Sequence, residues 1–220
     1  MDYSNILDFC GVAIYTAMAV VAVYGVFCVI MLVRRVGQKR FANETDAEQF
    51  LSEVRSQVTQ KNFDAVTELC DSPSYWSKAV PQLIIVAISN RQRTATKLRR
   101  FIAEKFERDV LADLEFRLSW INTIVKCAPM LGLLGTVLGM ILAFEVISQG
   151  SEAGIDANLM ADKIGIALGT TAIGLTIAIP LVMAGASINV RIGKLQDAVQ
   201  QDIGLFLDDL EATVSDAGGR

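Results

Sequence analysis

Four threonines and one glutamate are the residues of this sequence best placed to do chemistry, because each lies in or at the end of a long apolar run. Thr136 sits in the middle of CAPMLGLLGTVLGMILAF, Cys127 to Phe144, and Thr170, Thr171 and Thr176 sit in ALGTTAIGLTIAIP, 167–180. A hydroxyl both donates and accepts hydrogen bonds, so hydroxyls from two facing helices can line a pathway. The same hydroxyl can instead donate to a carbonyl one turn back and serve packing alone. Both readings stay open on residue type. Packing is the commoner role, and Thr136 and Thr171, at similar depths on antiparallel spans, raise the case for the pathway. Glu145 is the one charged residue inside any of the apolar runs, close to an end. It is either a solvated rim charge or an ion entry site.

The rest of the apolar runs holds no second carboxylate and no lysine, arginine or histidine. A proton carried through them would need a carboxylate from another polypeptide, which points to a hetero-complex. The sequence has no histidine, and this removes the commonest general base and metal ligand. Its four cysteines, Cys10, Cys28, Cys70 and Cys127, lack metal spacing and do not suggest a disulfide framework. No enzymatic activity, cofactor or metal is expected, and no nucleic-acid partner. Pro129 and Pro180 lie toward one end of their runs. Each leaves a carbonyl without its helical donor, either as a packing kink or as a flex point on a pathway. Gly132, Gly135 and Gly139, with the pair Gly165 and Gly169, let helix backbones approach closely and are assigned to helix packing.

The elements that must carry these residues are membrane helices. The chain has 220 residues, 52% of them hydrophobic, and a mean hydropathy of +0.42. Phe9–Val33, Cys127–Ile147 and Ile164–Val190 each reach the roughly 20 residues a helix needs to cross a bilayer. Fifteen of the 20 Lys and Arg residues fall between Arg34 and Arg117. The positive-inside bias therefore sets the orientation. Residues 1–8 form an outer N-terminus, 9–33 a span, 34–120 a cytoplasmic helical domain, 121–147 a second span and 148–162 a short periplasmic loop. A third span covers 163–190, and 191–220 is a cytoplasmic helix and tail. The acidic N-terminus, with Asp2 and Asp8, argues against a cleaved signal peptide and for a reverse signal-anchor.

In the cytoplasmic part, 45–60 reads as a helix opened by a Thr45/Glu48 capping box. Asn62 caps a short helix to Leu69, Asp71–Ser74 is a break, and a stretch over 75–90 is kinked or restarted by Pro81. QLIIVAI, 82–88, is too short to span and is read as buried core. No Gly or Pro interrupts 91–128, so a helix over 94–147 would run roughly 80 Å. Ile192, Leu195, Val199, Ile203, Phe206 and Leu210 recur at steps of three and four and carry the last helix to about Thr213, with a frayed tail beyond. The fold class is an all-α membrane protein with three transmembrane helices, two of them extending into a helical cytoplasmic bundle.

Two motifs, APMLGLLGTVLGM (128–140) and ALGTTAIGLTIAIP (167–180), together with the layout of spans, resemble the MotA/TolQ/ExbB proton-channel family. MotA-type subunits have an extra early span, so the ExbB/TolQ branch is the closer likeness. The resemblance implies a homopentamer in the bacterial inner membrane whose second and third spans line a central pore. It implies a partner of the ExbD or TolR type, single-spanning, with a transmembrane aspartate. Ion flow past that aspartate would drive work on TonB-like or Tol-like envelope proteins. By position, Thr136 and Thr171 are the pore threonines, and Pro129 and Pro180 match the family prolines. The sequence departs at Ile166, where ExbB and TolQ proteins usually carry a glutamate, and Glu145 is the substitute to consider. It departs again at Thr170, usually Ala or Gly in proton-driven members. A Thr-Thr pair resembles sodium-driven stators, where extra oxygens suit a hard cation. Three alternatives remain: a sodium-driven member of the family, a non-conducting scaffold for an envelope complex, and a solute transporter. The last is disfavoured because three spans without an inverted repeat offer no alternating-access core.

Overall fold

The computed structural model describes residues 3–41, 43–149 and 157–218. Residues 150–156 of the expected outer loop lie outside the described residues, as do Met1, Asp2, Ala42, Gly219 and Arg220. Every described element is helical: α1 (Tyr3–Lys39), α2 (Glu44–Thr59), α3 (Phe63–Cys70), α4 (Ala79–Ser89), α5 (Ala95–Phe106), a π-helical segment (Glu107–Leu111), α6 (Ala112–Gln149) and α7 (Ala157–Gly218). Stretches of α1, of α5 through α6, and of α7 are long and apolar enough to cross a membrane. The fold is all-α, as the periodicity indicates.

Contacts divide the chain into two compact units, Met1–Met31 with Leu118–Ser187, and Leu32–Arg117 with Ile188–Arg220. In the first unit, α1 buries Ile14 and Met18, and a methyl on Gly25 would stand 2.7 Å from Leu181 Cδ1 and 3.3 Å from Ile124. Tyr24 meets Trp120 edge-on at 6.5 Å. Val12, Val20, Val23, Val26 and Phe27 stay exposed on the same helix. A helix apolar on every side with one narrow buried seam suits hydrocarbon, where lipid satisfies the rest of the surface.

The second unit is built as a water-soluble bundle. Phe41, Phe50 and Tyr75 form an aromatic cluster with centroids 4.7–6.1 Å apart. Leu83, Ile84, Ala87 and Ile88 of α4 are buried, so the QLIIVAI segment is core. The six apolar positions predicted for the last helix, Ile192 through Leu210, are all buried too. Burying side chains of this size stabilises the unit by about 1.5–3 kcal/mol each. Exposed ion pairs trim the edges: Arg55 with Asp209 at 2.6 Å, and Arg99 with Asp208 and Glu211.

Several local expectations are corrected. The Thr45/Glu48 capping box does not form. Asn43 is the N-cap of α2, it makes no side-chain bond to the helix backbone, and its Nδ2 donates to Asp46 at 3.4 Å. At Pro81 the second of the two expected outcomes holds: a helix restarts there and is not kinked. Lys78 is the N-cap of α4, which leaves Pro81 in the first turn, where a missing N–H costs nothing. The run from Ala95 to Gln149 contains a π turn, and α7 continues past Thr213 to Gly218.

Candidate functional site

The first unit brings α6 and α7 together along a seam of small residues, and the seam places the threonines. The two helices run antiparallel in contact, so residue pairs move in opposite directions along them. A methyl on Gly132 would lie 2.9 Å from the Thr170 carbonyl oxygen and 3.0 Å from Thr171 Cα. One on Gly135 would lie 2.5 Å from Thr170 Oγ1, and one on Gly139 would run into Ala167 Cβ. From the other side, a methyl on Gly174 would lie 2.7 Å from the Ala128 carbonyl oxygen. Glycine at these places is a steric requirement, because atoms of the facing helix sit where a Cβ would go.

The close approach puts hydroxyls of α7 within reach of a backbone carbonyl of α6. Thr170 Oγ1 donates to the Gly132 carbonyl at 3.0 Å and to its own Ala167 carbonyl at 2.7 Å. Thr171 Oγ1 donates to the same Gly132 carbonyl at 3.1 Å. Thr170 is buried at 3% exposure, whereas Thr171 is half-buried. Thr136 donates to Leu133 at 2.6 Å and Thr176 to Ala172 at 2.8 Å, both on their own helices. Among the described residues no buried side-chain nitrogen or oxygen lacks a partner.

The remaining sequence candidates are placed as follows. A methyl added to Gly165 or Gly169 would find nothing within 4 Å among the described residues, which leave both positions open. Pro129 lies inside α6 and Pro180 inside α7, and neither ends its helix. Glu145 is half-buried near the end of α6. Ile166 is exposed, and the Tyr15 hydroxyl points at its carbonyl from 3.5 Å, the outer limit of a hydrogen bond. No group of acidic, cysteine or histidine side chains among the described residues could hold a metal ion.

Sequence reasoning missed three parts of the seam: Gly174, Ala128 and Ala167. Gly174 was legible in principle, since it lies three and four residues beyond Thr171 and Thr170 on one helix face. The Gly132 carbonyl carried no signal, because a backbone acceptor has no residue type.

The signature of the MotA/TolQ/ExbB proton channel family matches residues 75–201, which include the whole seam. The chain belongs to this family. Within the family its likeness is to the ExbB/TolQ branch. A Tol-Pal system protein TolQ from Haemophilus influenzae is 37% identical over 99 residues, 45% of this chain and 41% of that one. A putative biopolymer transport protein ExbB homolog from Methanothermobacter thermautotrophicus is 26% identical over 182 residues, 82% of this chain and 62% of that one. A biopolymer transport protein exbB1 from Vibrio cholerae is 49% identical over 61 residues, 28% of this chain and 26% of that one. The match thus spans less than two thirds of each of these family relatives.

Proposed function

We propose that this chain is the pore-forming subunit of an ion-motive-force-driven motor of the bacterial inner membrane. With an ExbD/TolR-like single-span subunit it converts proton flow into mechanical work on TonB-like or Tol-like envelope proteins. One observation carries the reading: Thr171 sits half-buried at the α6–α7 seam, in a span whose middle holds no ionisable side chain. A hydroxyl there can hand on a proton, but it cannot hold one as a charge at neutral pH. The carrier carboxylate must come from a partner, and a single-span subunit with a transmembrane aspartate supplies it. In this reading the chain is a homopentamer with a periplasmic N-terminus and a cytoplasmic C-terminus, and Glu145 serves ion entry where the branch glutamate is replaced by Ile166.

The scaffold alternative draws on a specific observation too. Every one of the four threonines donates to a carbonyl, which packing alone would give. The sodium alternative is weakened because Thr170 points into the seam.

The test is co-purification with the single-span subunit, then ion flux in liposomes with and without its aspartate. Aspartate-dependent proton uptake supports the motor, and aspartate-dependent sodium uptake supports the sodium variant. A stable complex that passes neither ion favours the scaffold. Thr171→Val and Glu145→Gln should each lower flux with assembly intact. Unchanged flux in both would remove these residues from the pathway.

A further inference from the structure

Three threonines of the seam meet at one atom. The regular α-helical pattern pairs the Gly132 carbonyl with the Thr136 N–H. The hydroxyls of Thr170 and Thr171 arrive at the same oxygen at 3.0 and 3.1 Å. A carbonyl oxygen offers two lone pairs, so three donors compete for it. Thr170 has a second acceptor, its own Ala167 carbonyl at 2.7 Å, and a hydroxyl has one proton to give. The two hydroxyls also differ in access. Thr170 is buried, and its side chain packs against Gly135 of the facing helix. Thr171 is half-buried.

We propose that Thr170 is a positioning residue for Thr171, acting through the Gly132 carbonyl that both hydroxyls share. The proposal rests on the conducting reading above. When Thr170 donates to Gly132, that carbonyl has two partners, counting the Thr136 N–H, and Thr171 can turn its hydroxyl away. No buried acceptor is then left unmet. When Thr170 swings its proton to Ala167, Gly132 draws Thr171 back. The exchange rotates a hydroxyl and transfers no proton between residues. It follows that the adjacent threonines are not a pair of cation ligands. One holds the seam and governs the other.

The test uses the full chain with its co-purified single-span subunit in liposomes, as the original sequence and as Thr170→Ala, Thr170→Ser, Thr171→Val and Thr170→Ala/Thr171→Val. Thr170→Ala should lower proton flux about tenfold, the scale of one hydrogen bond, with the complex still assembled. Thr170→Ser, which keeps the hydroxyl, should restore flux. The double variant should lose no more than Thr171→Val alone, because Thr170 acts only through Thr171. Multiplied losses in the double variant would overturn the proposal. So would failure of serine to rescue, or a changed dependence on sodium concentration in Thr170→Ala, the mark of a direct ligand. Melting temperatures of the original chain, Thr170→Ala, Thr171→Val and the double variant form a cycle that needs no flux. Non-additive shifts support the shared carbonyl, and additive shifts overturn it. Non-additive shifts in a complex that passes neither ion would support the coupled hydroxyls and overturn only the conducting reading.

Discussion

At Gly132 a missing side chain and a backbone carbonyl matter separately. The missing Cβ lets α7 come within contact of α6, and the carbonyl then receives hydroxyls that could not otherwise reach it. Gly132→Ala is therefore expected to do two things at once. It should push the helices apart, at a cost of roughly 1–3 kcal/mol for overpacking against backbone, and it should weaken the Thr170 and Thr171 bonds. Gly185→Ala is the control, since its methyl would find Ile121 at an ordinary 3.6 Å. Thermal unfolding in detergent should show a clear drop for the first and little change for the second. Equal shifts would mean that the seam is looser than its distances imply. Cys70, in the other unit, is a different kind of buried residue. It is fully covered, and burial pushes its thiol up from 9.0 to about 12. The folded state keeps the proton while the unfolded state loses it. Stability should thus fall as pH rises from about 9 toward about 12, and Cys70→Ala should flatten that fall in alkaline melts. At neutral pH the native thiol should resist maleimide until the chain is denatured.

At the scale of elements, the sequence announces helices well and their ends less well. Asn62 is an N-cap because its side chain can accept a backbone N–H, and it does so from Ala65 at 3.3 Å. Its helix has only eight residues, so Asn62→Ala should cost about 1 kcal/mol, readable as a lower melting temperature of the purified chain. No change would mean that packing of Val66 and Cys70 alone fixes α3. The Thr45/Glu48 pattern has the same grammar but starts two residues late, since Asn43 already holds the capping position. The π turn at Glu107–Leu111 was hidden for another reason. No Gly or Pro marks it, and propensity does not separate one helical hydrogen-bond pattern from another. A trace is visible in the buried positions Leu98, Ile102, Phe106, Val110, Leu114 and Leu118, which recur at steps of four. In a regular α-helix each such step drifts by about 40° around the axis. The stripe would leave its face within a few turns, and the wider π turn takes back part of the drift.

At the scale of the whole molecule, the two units apply opposite rules, and both are written in composition. The unit that holds the seam buries small residues and leaves Met130, Leu133, Val137, Phe144, Leu168 and Met183 exposed. In lipid there is no hydrophobic gain from burying leucine, so close packing of small residues decides which faces meet. The other unit buries large apolar side chains and keeps its charges outside, as water requires. Alternation of apolar and polar residues thus made the second unit's core legible, while a continuous apolar run could not say which face of α7 packs against α6. Gly165 and Gly169 are the instructive case. Their GxxxG spacing matches that of Gly135 and Gly139, yet by helical period they lie on the side of α7 away from Ala167, Thr170 and Gly174. Ala172 and Thr176 share that side. A face of small residues that its own chain leaves open is suited to another helix, and the proposed pentamer and single-span partner both offer one. Gly169→Leu should then leave the fold of the single chain intact, because no described residue lies within 4 Å of the added carbon. It should break the assembly, because the side chain fills the space into which a neighbouring helix would settle. Native mass spectrometry of the detergent-extracted protein separates the outcomes. Loss of the multi-chain species with an unchanged far-UV helical spectrum supports a helix–helix interface on this face. An unchanged mass would assign the face to lipid and leave the pore to be built from α6 and the seam side of α7 alone.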